Sequence, residues 1–460
     1  MADGHTGALV LRGGTVVTAR GRAQGNLVLQ DGAVAGVVGC GEGPSGARSL
    51  DVDGLFVLPG FVDTHVHLMD PGDASREDFP SGTRAALHQG VTTVVEHTHG
   101  WPVTSVERLR EKVAHLRGRS WVDYGLAAHV WPDRIGDIGP LWEEGAVFFK
   151  IFTCTTHGVP GLPTDLLHEA LGAIARCGGA ALVHCEDEAM TAGAEARLRA
   201  AGREDPWILP EWRSRAAEIV AATVVCLMAR LTGARTTIAH ASSPDIVDLV
   251  AEEAARGTDV RAESCPQYLL MREDDIVSEG SLRKFTPPAR LRSDAEQQAM
   301  WSAFNTGRIH HLSTDHAPST RQHKAAGSLW DVHFGLPGLD TTAGLMIDAA
   351  LSGVTSLEKV VEAYATAPAR RYRLVGKGDL LPGFDADVAL VDPAATWTVA
   401  DTTVRSKAGW SPYSGTTLRG RVVGTVVGGE LRMLQGDEVA GEGAGRLVTG
   451  AGRRAAGGRR

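Results

Sequence analysis

Apolar positions along the chain follow two rhythms. Near the N-terminus, short β-rich runs at 9–11, 14–17 and 26–30 lead to Asp31-Gly32, a hairpin signal, and then to a further run at 33–38. From about residue 55, strand-length apolar runs alternate with helix-length segments. The runs lie at 55–62, 92–95, 124–128, 147–152, 180–183, 236–240, 259–264 and 309–313. Eight apolar strands separated by helices predict a parallel sheet covered on its outer face. Its natural closure is an α/β fold of the (β/α)8 TIM-barrel type. Two helices are well punctuated: Ser243-Pro244 opens one over 245–256 before Gly257, and another spans 216–231 with Gly233 beyond it. After about residue 376 β character returns, at 387–392 and 421–427. The division expected is a small β-sandwich built from both termini, 1–54 and 377–435, flanking a barrel over 55–376. The Gly/Ala/Arg-rich stretch 436–460 reads as a solvated, disordered tail.

Composition supports one large core rather than several small domains. Hydrophobic residues make up 43% of the 460 and charged residues 22%, which excludes disorder, collagen and coiled coil as whole-chain descriptions. With 46 Lys+Arg against 55 Asp+Glu the net charge is −9, which gives a nucleic-acid groove no support. The arginines that end the tail are the one basic feature suited to an anionic partner. Six cysteines are scattered without a CxxC pair, as in a reducing compartment. The first residues lack the basic and apolar regions of a signal peptide, and no apolar run reaches the ~18 residues of a membrane span. A cytoplasmic enzyme is the expectation, with no membrane or nucleic-acid partner.

The chemistry sits at strand ends. His65 and His67, in PGFVDTHVHL, are two apart on a predicted strand, so both side chains leave one face. At the C-terminal end of a barrel strand that face looks into the mouth where such enzymes work. Lys150 lies inside the apolar run Phe148-Phe149-Lys150-Ile151-Phe152, where a charged ammonium is costly. A desolvated neutral amine there could capture CO2 as a carbamate and bridge two metals. His184, His240 and Asp315 each end a short apolar strand directly. Nitrogen and carboxylate donors without thiolates suit two divalent ions, Zn2+ or alternatively Mn2+, Co2+ or Fe2+. A hydroxide bridging two such ions is a nucleophile at neutral pH, and Asp315 would serve as its general base. That is machinery for hydrolysing an amide.

These residues resemble the binuclear, carboxylated-lysine branch of the amidohydrolase superfamily, whose cyclic-amide members include allantoinase, dihydroorotase, hydantoinase and dihydropyrimidinase. The resemblance extends over nearly the whole chain, through Glu263-Ser264-Cys265-Pro266-Gln267-Tyr268, Ser313-Thr314-Asp315-His316-Ala317-Pro318 and Pro382-Gly383-Phe384-Asp385-Ala386-Asp387. It implies His65 and His67 on one metal, His184 and His240 on the other, Lys150 bridging, and Asp315 on the first metal as base. It also implies the terminal β-sandwich, a cyclic-amide substrate and a homo-oligomer, commonly a tetramer. Dihydroorotases of this kind carry an arginine and an asparagine where Met69 and His99 stand here, and hydantoinases carry a tyrosine where Thr155 stands. Asp70-Pro71-Gly72, Glu186-Asp187 and 411–415 resemble allantoinases, so an allantoinase-like ring-opening hydrolase is the leading expectation. A hydantoinase-, dihydropyrimidinase- or imidase-type enzyme is the alternative, and a non-catalytic scaffold on the same fold a further one. His97, His99 and Thr155 are candidate substrate contacts, as are Thr286 and Phe334 through their backbone.

Overall fold

The structure, a computed structural model, describes residues 7–439 and 441–456. Its centre is α/β with parallel strands. Phe61–Val66, Val91–Glu96 and Asp123–Leu126 form one parallel sheet. Ala128–His129, Phe149–Phe152, Ala180–His184, Arg235–Ile238, Val260–Ser264 and Ile309–Leu312 follow in chain order in a second. The two are joined through one length of chain: Ala127 N donates to Glu96 O, and Ala128 N to Phe148 O. The first and last strands approach through a single parallel bridge between Val66 and His316, where His67 N donates to His316 O at 2.8 Å. Most of these strands are buried along their whole length. That is the cause of their unbroken apolar sequence, since crossover helices cover the face that would otherwise meet water.

The helices end where local chemistry dictates. Arg215–Thr232 begins at Ser214, whose hydroxyl accepts from Ala217 N, and stops at the left-handed Gly233. Pro244–Ala255 carries its proline at the first turn, where a missing N–H costs nothing. No helix of the described residues is long and apolar enough to cross a membrane.

The run expected as one strand over 55–62 is two. Phe56–Pro59 pairs antiparallel with residues 388–391 and parallel with Thr15–Thr18, so it belongs to a terminal sheet. The central strand starts at Phe61, and the boundary drawn at residue 55 moves accordingly. Gly60 is the pivot: a Cβ there would stand 2.1 Å from Thr92 Oγ1. N-terminal strands between Ala8 and Asp51 build a four-stranded sheet, and segments from both ends of the chain build a seven-stranded one. Leu9, Leu11, Leu27 and Leu29 share one apolar cluster with Val57, Val388, Leu390 and Val426.

The expectation of a disordered tail over 436–460 is wrong for most of that stretch. Tyr124 N donates to Arg446 O and Val448 N to Tyr124 O, at 2.9 and 2.7 Å. Arg446 also pairs with Asp123 at 2.8 Å, and a short helix, Ala451–Ala456, follows. The glycines that suggested disorder instead permit contact. A Cβ on Gly445, Gly450 or Gly452 would lie 1.9, 2.0 or 2.2 Å from the carbonyl oxygens of Val122, Ala146 and Trp142. The terminal arginines, Arg459 and Arg460, lie outside the described residues.

Candidate metal centre

His65 is the last but one residue of Phe61–Val66, and His67 follows that strand directly. Their outer ring nitrogens are tied. His65 Nδ1 lies 2.6 Å from Glu263 Oε1, and His67 Nδ1 lies 2.9 Å from the His97 carbonyl. A carbonyl only accepts, so Nδ1 of His67 carries the proton and Nε2 keeps its lone pair. Burial above all pushes the His67 imidazolium down to about 4, which keeps the ring neutral. Both Nε2 atoms face Asp315 Oδ1, at 3.1 Å from His65 and 3.4 Å from His67. Burial alone would raise the Asp315 carboxyl, but His65 above all, with the close ring nitrogens of His65 and His67, holds it well below the usual range.

A second pair of imidazoles stands across the cavity. His184 ends Ala180–His184, and its Nε2 meets Glu186 Oε2 at 2.8 Å. Its Nδ1 and His240 Nε2 are 2.9 Å apart, while His240 Nδ1 is buried without a partner. Glu186 also accepts from Thr286 Oγ1 at 2.7 Å and pairs with Arg213 at 3.2 Å. Burial would raise that carboxyl, but Arg213 and its donors hold it well below its ordinary value. His240 and Asp315 both have left-handed backbones, with φ of 38° and 48°. For non-glycine residues that strain costs on the order of 1–3 kcal/mol and persists only where the surroundings impose it. It recurs here at two strand ends that aim a side chain inward.

Lys150 lies between the pairs. It is 1% exposed, with Nζ 3.3 Å from His65 Nε2 and no carboxylate hydrogen-bonded to it. Burial pulls its ammonium from 10.5 down to about 8, partly opposed by the charges of Asp315 and Glu263.

All six candidate ligands, His65, His67, Lys150, His184, His240 and Asp315, thus line one small cavity. Of the candidate substrate contacts, His99, Thr286 and Phe334 line it too. Thr155 does not: it is exposed, and its hydroxyl accepts from Gly161 N. The loop after Phe149–Phe152 turns that side chain away from the centre. Nor does His97 reach the cavity wall; its ring is buried against those of His65 and His67. His157, absent from the sequence expectation, does line the cavity. It stacks on His99 with centroids 4.3 Å apart, and His99 stacks on His67 at 4.0 Å. Glu263 was missed as well, although a carboxylate inside an apolar strand is the same signal that singles out Lys150.

This donor set fits two divalent cations. Four imidazoles and a carboxylate surround a depressed lysine, three of the imidazoles are oriented through their far nitrogen by Glu263, Glu186 or the His97 carbonyl, and the buried Nδ1 of His240 has no protein partner. Outer partners of this kind fix ligand tautomers at metal centres.

Comparison with known proteins points the same way. The chain is 34% identical over 449 residues to the allantoinase of Rubrobacter xylanophilus, covering 96% of this chain and 97% of that one. It is 29% identical to the L-hydantoinase of Paenarthrobacter aurescens over 96% of its own length and 98% of the relative's. The solved structure of L-hydantoinase (dihydropyrimidinase) from Arthrobacter aurescens superposes with a TM-score of 0.92 at 29% identity, covering 96% of this chain and 99% of that one. Residues 56–432 match the amidohydrolase family, and with histidine pairs, lysine and aspartate converging at strand ends, the chain belongs to that family.

Proposed function

We propose that this protein hydrolyses the ring of a cyclic amide or ureide, with allantoin as the leading substrate, at a binuclear divalent centre. His65 and His67 hold one ion and His184 and His240 the other. Lys150, carboxylated by CO2, bridges them, and Asp315 joins the first. The frame proposed is a closed (β/α)8 barrel beside a β-sandwich made from both termini, assembled as a homo-oligomer. When bound, two such ions polarise a carbonyl and make water acidic enough to deprotonate near neutral pH, with zinc the first candidate.

The protein's own residues supply the rest. Asp315, ionised and 13% exposed, is placed to accept a proton from the attacking water and return it to the departing ring nitrogen. Thr286 has its hydroxyl committed to Glu186, which leaves its backbone to meet substrate. His99 and His157 form a stacked wall that ends against Phe334, a surface suited to the flat face of a small ring.

One observation carries the reading: the inward imidazole nitrogens are freed for ligation because each outer nitrogen of His65, His67 and His184 is already paired. A scaffold that binds no metal has no use for that arrangement. The test is a panel of allantoin, hydantoins, dihydrouracil, dihydroorotate and cyclic imides, assayed with Zn-, Mn- and Co-loaded protein. Ring opening of allantoin is expected. Inert allantoin with another ring opened refutes the substrate, and no ring opened with any metal refutes the class.

A further inference from the structure

The strands Val260–Ser264 and Ile309–Leu312 are parallel neighbours with one irregularity between them. Ala262 pairs with Ile309, but Glu263 pairs with His311, so His310 is an extra residue in its strand. A β-bulge of this kind re-aims the side chain beside it. Here it sets His311 next to Glu263, with both side chains fully buried. Glu263 Oε1 already serves the metal centre: it accepts from His65 Nδ1 at 2.6 Å and from the His240 backbone N–H at 3.3 Å. Glu263 Oε2 and His311 Nε2 have no hydrogen bond elsewhere, and they face each other at 3.5 Å. A buried carboxylate oxygen left bare is costly, and so is a buried imidazole N–H. A carboxylate oxygen only accepts, so a proton on His311 Nε2 meets both needs at once. The far side of the ring agrees. His311 Nδ1 lies 3.0 Å from His310 Nδ1, where a neutral His311 protonated on Nε2 can accept.

We propose that His311 is a positioning residue of the metal centre: it donates to the outer oxygen of Glu263 and so fixes the carboxylate that orients His65 and His240. This rests on the metal-centre reading above and extends it outward by one side chain. His311 touches no ligand itself and reaches the centre only through Glu263. Because one oxygen of Glu263 serves a ligand of each ion, a carboxylate free to turn would disturb both halves of the site. Removing the outer partner of a metal ligand weakens metal binding for this reason.

The test measures Zn2+ binding without substrate, against a competing chelator, in metal-free unaltered protein, His311→Met, His311→Gln, Glu263→Gln and the double variant Glu263→Gln/His311→Met. Methionine fills the volume without a donor, and glutamine restores an amide N–H near the place of Nε2. Affinity should fall ~10-fold in His311→Met and return to within about threefold of the unaltered protein in His311→Gln. The double variant should bind no more weakly than Glu263→Gln alone, because His311 acts through that carboxylate. Urea unfolding of the metal-free variants separates this from lost packing, which lowers stability but leaves the affinity of the folded protein unchanged. Affinity unchanged in His311→Met, or losses that add in the double variant, overturns the proposal. A neutron structure of the unaltered chain needs no variant to fold. Deuterium on His311 Nε2 facing Glu263 supports the assignment, and deuterium on Nδ1 alone overturns it. If the unaltered chain binds no divalent ion, the metal-centre reading fails and this proposal with it. If it binds two and Glu263→Gln weakens them while His311→Met does not, only the role of His311 fails.

Discussion

Carboxylation of Lys150 gives a quantitative test of how far burial has changed that amine. Only the neutral amine attacks CO2. With the ammonium lowered to about 8, roughly a quarter of the side chain is neutral at pH 7.5, against about one part in a thousand at the ordinary 10.5. The gain is on the order of 200-fold in reactive amine, and it comes from a site 1% exposed with no hydrogen-bonded carboxylate. The perturbation is pH, at a fixed partial pressure of CO2 so that its dissolved concentration stays constant. The assay is the initial rate of 13CO2 uptake by metal-free protein after a pH jump, read by 13C NMR, with Lys150→Ala as the blank. The sign follows from the direction of the shift: a lowered pKa brings the neutral form in earlier as pH rises. Uptake should be half-maximal near pH 8 and level off above about pH 9. A rate that still climbs about tenfold between pH 8.5 and 9.5 is that of an ordinary lysine. It would refute the argument that desolvation prepares this residue.

Two further outcomes follow from buried pairs and from the packed tail. Lys112 and Glu96 form an ion pair with both side chains buried, so Lys112→Met strands a carboxylate in the core and should cost about 3–5 kcal/mol in urea unfolding, most of it recovered by adding Glu96→Gln; a loss below 1 kcal/mol contradicts this. Deleting residues after Glu438 removes five backbone hydrogen bonds to the rest of the chain, from Val439, Gly445, Val448 and Gly450 and to the Arg446 carbonyl, and should cost about 2–8 kcal/mol, while limited proteolysis of the intact protein should spare residues 443–456. Cleavage there at the rate of a free peptide would show that the tail is not held.

What the sequence by itself determined is the information carried by neighbouring residues. Unbroken apolar runs reveal strands buried on both faces, because a buried strand cannot afford polar positions. Most of the expected runs reappear within a residue or two, and Asp31-Gly32 does turn a hairpin, with φ of 52° and 80°. Ionisable residues at or within such runs stood out for the same reason, and this is how His65, His67, Lys150, His184, His240 and Asp315 were legible. Contacts between distant segments were not. Glu263 gains its role only because the fold brings it to His65, 198 residues away in sequence. Thr155 and His157 differ by two positions, yet the loop's path exposes one and lines the cavity with the other. Gly445, Gly450 and Gly452 have the composition of a loose tail, and only the carbonyls of Val122, Ala146 and Trp142 against them show that the missing side chains make room for close packing. Local patterning records whether a position is buried. Which groups meet there is decided by how the strands are ordered in space, and no stretch of neighbouring residues encodes that order.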